Sequence, residues 1–212
     1  MGCDIHAVFQ TKKDGKWEFI QDKYERNRHY QLFAVLAGVR NGYGFAGITT
    51  GDAVVPISEP RGFPDDWECE DEVKMPGWEF CSPWQQEYAA KNPAAYPNGP
   101  VIWLGDHSYS WLTADEMLAW LENAPEVTQR GVLSRAEYAV WDKKSHPESY
   151  CGDVMGPNIV ISTDSPVLPN EATHVRVTWK SPLTDELKYF FDEVRRLKEE
   201  HGEVRMVFGF DS

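Results

Sequence analysis

The chain opens Met1-Gly2-Cys3-Asp4-Ile5-His6-Ala7-Val8-Phe9-Gln10. These residues alternate with period two, so Cys3, Ile5, Ala7 and Phe9 point one way and Asp4 and His6 the other. Lys13-Asp14-Gly15-Lys16 is a tight-turn signal and Trp17-Glu18-Phe19-Ile20 resumes the alternation, which predicts a β-hairpin over residues 2–21. A polar second face is ordinary for a half-buried strand. A carboxylate and an imidazole on one face of a rigid element also begin a site.

The C-terminal third carries the same pattern. His174-Val175-Arg176-Val177-Thr178-Trp179 alternates as a strand. Thr184 starts a helix with apolar residues at 187, 190, 191, 194 and 197, and Gly202 ends it. Val204 to Phe210 reads as a closing strand. This strand–helix–strand unit and the N-terminal hairpin predict an α+β fold, a mixed β-sheet whose one face is covered by a long irregular insertion. If Val175, Val177, Trp179, Met206, Phe208 and Phe210 pack under the helix, then Arg176, Thr178 and Arg205 share the opposite face. Asp4 and His6 join them there if Ile5 and Phe9 enter the core.

Between these ends, the apolar positions 32, 33, 36 and 39 predict a helix after Tyr30. Residues 41–100 are rich in Gly and Pro, with a short helix expected from Ser82-Pro83 to Lys91. They are expected to form a loop-rich part of the site within a single domain spanning 1–212. Val101 to Leu104 predicts a buried strand. Thr113 with Glu116, and Ser134 with Glu137, are capping boxes, the second opening a helix through about Lys144. Ile159 to Ile161 predicts a small strand.

With 212 residues, a 42% hydrophobic composition and a net charge of −13, the chain can bury a core but is a poor match for duplex nucleic acid. Inward-pointing Arg residues still permit a small anionic ligand. Four scattered cysteines without a CxxC pair fit a reduced cytoplasm. No apolar run reaches the ~20 residues that span a bilayer, no signal segment precedes Cys3, and His6 stands where N-myristoylation needs Ser or Thr. No membrane partner is expected, and a homo-oligomer is left open.

Two Asp/His pairs carry the chemistry: Asp4-x-His6, and Asp106-His107 after the Val101 strand. One reading is a divalent metal held by Asp4, His6 and His107. The other is metal-free acid–base catalysis by His6 and His107, with Asp4 and Asp106 orienting the rings. The later signatures of binuclear metallophosphoesterases are absent. Asp106-His107-Ser108-Tyr109-Ser110, between a strand's end and a capped helix, suits an anion. Gly42-Tyr43-Gly44-Phe45-Ala46-Gly47 matches GxGxxG but follows a helix, so the dinucleotide reading fails. Arg40 and Arg61 beside glycine loops read equally as anion clamps or as surface ion pairs. His29 and His201 read as structural, and Cys3 as a core residue.

Met-Gly-Cys-Asp-Ile-His, the helix ending Leu-Ala-Gly-Val-Arg-Asn at Asn41, Pro60-Arg61-Gly62, the Asp-His-Ser-x-Ser-Trp-Leu run and the final Arg-x-Val-Phe-x-Phe-Asp together resemble a family of bacteriophage and prophage proteins. Tyr109 departs from it, standing where a second His is expected. The resemblance implies a phage gene acting in the host bacterial cytoplasm, and no particular reaction. The expectation is a phosphodiesterase-like hydrolase of a small phosphate-bearing ligand, with a cyclic-nucleotide immune signal as candidate. Asp4, His6, Asp106 and His107 would be catalytic; Arg40, Asn41, Arg61, Ser108, Tyr109, Ser110, Arg176 and Arg205 would contact ligand. The alternatives are a non-catalytic sponge for such a nucleotide and an acidic protein that inhibits a host partner.

Overall fold

The structure, a computed structural model, describes residues 2–20, 28–67, 72–74, 87–88, 90–94 and 101–212, with the backbone alone at 72–74 and 101–102. The Ser82–Lys91 helix expected from the sequence falls largely outside the described residues. The fold is α+β, with the N-terminal hairpin and the C-terminal strand–helix–strand in place. Contacts group it into two compact units: Gly2–His29, Ser58–Leu118 and Glu193–Ser212 in one, Tyr30–Ile57 and Ala119–Asp192 in the other.

The first unit is built on β1 (Asp4–Lys13) and β9 (Val204–Asp211), which pair antiparallel from Asp4↔Asp211 to Thr11↔Val204. On one side of this pair lies β2 (Lys16–Phe19), and on the other β5 (His107–Thr113), giving the order β2-β1-β9-β5. The hairpin turns at Asp14 and Gly15 with φ of 50° and 80°. Both values suit a primed turn, whose twist matches that of the flanking strands. A separate two-stranded ladder joins β3 (Glu72–Lys74) to β4 (Val101–Trp103).

The pairing sorts the side chains. Ile5, Ala7, Phe9, Met206, Phe208, Phe210 and Leu112 share one face and are all buried. Each such large side chain contributes about 1.5–3 kcal/mol over leaving it in water. On the other face Val8 and Val207 pack with Leu104 and, around them, Phe19, Phe63, Trp67, Tyr109 and Trp111. Phe63 and Trp67 of the 41–100 stretch therefore cover that face, with Phe63 stacked on Tyr109 at 4.6 Å.

In the second unit, β8 (His174–Pro182) runs antiparallel to β6 (Glu126–Ser134) and parallel to β7 (Val160–Ser162). Leu133, Val175, Val177 and Trp179 of this sheet pack with Tyr138, Leu168 and Ala172. Helix α1 (Tyr30–Ala37) buries six consecutive residues from Leu32 to Ala37. Helix α2 (Ala114–Leu121) opens on the Thr113–Glu116 capping box, and α3 (Arg135–Val140) on the Ser134–Glu137 box. The latter stops four residues short of the expected Lys144. Asp142 accepts the amides of Lys144 and Ser145 and sets a turn in place of another helical one. The C-terminal helix is split at Leu187 into α4 (Leu183–Glu186) and α5 (Lys188–His201).

Two differences from the sequence reading bear on function. The strands flanking α4 and α5 lie in different sheets, so Arg176 does not share a sheet face with Asp4, His6 and Arg205. Residues 107–113 are a strand of their own and not a loop: Trp111 and Leu112 pair with Val207 and Met206. The helix N-terminus expected beside His107 lies at Ala114, beyond that strand.

Gly209 lies opposite His6, and a Cβ there would stand 2.2 Å from the Leu104 carbonyl oxygen and 2.6 Å from the Tyr109 ring. Gly209→Ala is expected to cost about 1–3 kcal/mol by overpacking. It should lower the urea midpoint at an unchanged m-value, and an unaltered midpoint would show that the Leu104 backbone and the Tyr109 ring both give way freely.

Candidate functional site

Asp4 and His6 project from the covered face of the sheet, and the register sets Asp211 beside them. The His6 Nε2 lies 3.0 Å from Asp211 Oδ2, while Asp211 Oδ1 accepts the Asp4 backbone N–H at 3.0 Å. Both carboxylate oxygens of Asp211 are thereby fixed, and with them the imidazole. The two side chains are 19% and 28% exposed, protected yet within reach of solvent. Trp103 closes on the same ring, with centroids 4.9 Å apart, and is itself 44% exposed.

The Asp4 carboxylate is gripped by Arg28, whose Nε and Nη2 donate to its two oxygens at 2.7 and 2.5 Å. Gly2 makes room for that grip, since a Cβ there would stand 2.6 Å from Arg28 Nη1. The fork from Arg28 holds the Asp4 carboxyl below its ordinary value, against the opposing effect of burial and with help from the charges of Arg28 and His6. Asp4 is therefore a committed anion that helps organise the strand end, with Arg28 as its counter-ion.

The second Asp/His pair stands apart. His107 is opposite Phe210, on the face of the apolar core, and its ring stacks on Phe210 at 6.1 Å. His6 is opposite Gly209, on the other face. Pleating thus sends the two imidazoles to opposite sides of the sheet, so they do not form the acid–base pair expected from the sequence. A bulge between His107 and Ser110 accompanies this arrangement, with Ser108 at φ 53°, a left-handed conformation uncommon for serine. Ser108 Oγ lies 3.0 Å from His107 Nδ1, and Asp106 Oδ1 lies 3.9 Å from His107 Nε2.

The other residues expected to contact ligand are engaged locally. Ser110 is buried and its Oγ accepts the Arg61 backbone N–H, while the Tyr109 hydroxyl donates to the Gly105 carbonyl. Arg61 pairs with Glu116 at 2.7 Å and lies over Trp111. Burial raises the Glu116 carboxyl, but hydrogen bonds from Arg61 and Thr113 outweigh it and hold the group low. In the second unit, Arg40 lies over the Tyr30 ring, Asn41 clamps both backbone polar groups of Val54, and Arg176 meets Asp153 at 3.3 Å. Among the described residues, no three His, Cys, Asp or Glu side chains are grouped to hold a metal ion, so Asp4, His6 and His107 make no such set. No described helix is long and apolar enough to cross a membrane.

Sequence reasoning missed Asp211, Trp103 and Arg28. The final Phe-x-Phe-Asp pattern held the signal for Asp211: a carboxylate one step past a strand of the same parity as Gly209. No family model, curated protein or solved structure matches the chain.

Because the Asp4 carboxyl is held low in the folded state, its ion pair stabilises the protein above the ordinary carboxylate value of 3.8. That contribution is lost as pH falls through the folded value. Arg28→Met should return the Asp4 titration, followed by side-chain carboxyl NMR, toward the ordinary range. An unmoved titration would show that another group depresses it.

Proposed function

We propose that the protein is a hydrolase acting on a small phosphate-bearing ligand, with His6 as its acid–base group and Asp211 as the positioning residue. The observation that supports this most is the His6–Asp211 dyad, a partly exposed imidazole held at 3.0 Å by a carboxylate that a backbone amide fixes in turn. With Asp211 accepting Nε2–H, the neutral ring keeps its lone pair on Nδ1. Nδ1 takes a proton from an attacking water as its oxygen bonds to phosphorus. The imidazolium, stabilised by Asp211, then returns that proton to the leaving oxygen as the old P–O bond breaks. The exposed face of Trp103 beside His6 suits stacking by a nucleobase.

The nucleotide part of this reading leans on the resemblance to phage proteins, a setting in which a cyclic-nucleotide signal of host defence in the bacterial cytoplasm is the candidate substrate. A dyad of this kind favours turnover over sequestration, because simple binding does not require an imidazole backed by a fixed carboxylate.

Incubation with a panel of cyclic and linear nucleotides, followed by denaturation and chromatography, should recover altered product. His6→Ala should lower the rate by about 10²–10⁴ without loss of fold, and Asp211→Asn by at least about tenfold with a displaced pH profile. Recovery of every compound intact, or wild-type turnover by His6→Ala, sinks the proposal; intact ligand released only on heating would favour a sponge.

A further inference from the structure

The face that carries His6 at one end carries a buried cation at the other. Arg205 lies four residues along β9 from Gly209, about 13 Å away at strand spacing, beyond the apolar layer of Val8 and Val207. Its side chain is 3% exposed, and it is the one buried charged residue among the described residues. The guanidinium is placed with care: it lies 4.2 Å from the Trp17 ring centroid, Nε donates to Gln10 at 2.8 Å, and Nη1 donates to Asp66 Oδ1 at 2.7 Å. Burial lowers the Arg205 pKa, against the effect of Asp66.

This site has more donors than acceptors. Among the described residues, Arg205 Nη2 is buried with no acceptor, and so is the indole Nε1 of Trp67, next in the chain to Asp66. A buried donor left without an acceptor costs about 1–3 kcal/mol, more when charged. The guanidinium fork matches a carboxylate with two parallel bonds, yet Asp66 engages only Nη1. Asp66 is also the exposed member, at 54%. It is an internal carboxylate, open to solvent, on a cation that is enclosed.

We propose that Arg205 is a binding point for a carboxylate-bearing ligand, which engages Nη1 and Nη2 together and displaces Asp66. Trp67 Nε1 supplies a further donor as the 58–67 segment adjusts, and Trp17 is the platform under the guanidinium. Asp66 is then a built-in competitor that keeps the cation paired while the site is unfilled. The site is distinct from the His6 dyad, and each reading stands or falls alone.

The test is a titration of tryptophan fluorescence and melting temperature with sodium acetate and sodium benzoate, against sodium chloride at matched ionic strength and against inorganic phosphate. Wild type should respond to carboxylate above the chloride control, and Asp66→Asn should respond at least about tenfold more tightly, since the competitor is gone. Arg205→Lys, which keeps the charge but not the fork, should lose the response. Trp67→Phe, which removes only the indole N–H and keeps a ring, should weaken it two- to tenfold. A response no larger than chloride in Asp66→Asn, equal affinity for phosphate, or undiminished affinity in Trp67→Phe overturns the proposal.

Discussion

The antiparallel register of β1 on β9 is the constraint on which the rest depends. It joins residues about two hundred positions apart and sets three pairs at once: Asp4 with Asp211, His6 with Gly209, and Gln10 with Arg205. Each pair has a distinct physical purpose. The first brings a carboxylate to the imidazole, the second leaves room for the Leu104 carbonyl and the Tyr109 ring, and the third gives a buried guanidinium its polar partner. A slip of one residue would send Ile5 and Phe9 to the covered polar face and His6 into the apolar core. The burial of Met206, Phe208 and Phe210 on one face of β9, and of Val207 on the other, makes such a slip prohibitive.

The covered face is divided by polarity along the strand direction. Asp4, His6 and Asp211 occupy one end, Val8 and Val207 the middle, and Gln10 and Arg205 the other end. The apolar middle, roofed by Phe63, Trp67, Tyr109 and Trp111, separates two charged groups of different character. At the His6 end each ion pair keeps some contact with water and costs little to desolvate. At the Arg205 end the cation is enclosed, and its stability depends on a few directed bonds.

Much of this was legible locally. The hairpin followed from alternation around Asp14-Gly15, and both helix starts from their capping boxes, because those signals act over three or four residues. The strand β5 was hidden because His107-Ser108-Tyr109-Ser110 is polar and a bulge at Ser108 breaks its period. Strand β6 was hidden because Glu126-Val-Thr-Gln-Arg-Gly interrupts the apolar pattern with residues that suit loops as well. The partition of β8 and β9 into different sheets lies beyond local pattern altogether. So does the choice of Asp211 over Asp106 as a carboxylate beside a histidine, since pairing across the whole chain decides it. The side of the sheet on which His107 falls rests on register alone, and the two Asp/His pairs looked equivalent only while the strands were unaligned.

The distance in sequence between β1 and β9 also governs when this sheet comes into being. During synthesis at about 5–20 residues per second, β1 leaves the ribosome some ten to forty seconds before β9 exists. Until then its long partner edge is open, and β2 pairs only Gln10 to Lys13, so Ile5 and Ala7 have no strand beside them. The second unit, whose segments 30–57 and 119–192 precede β9, can assemble first. The nascent chain therefore carries an unpaired strand edge through most of its synthesis, a surface open to chaperones and to strand exchange with neighbouring chains.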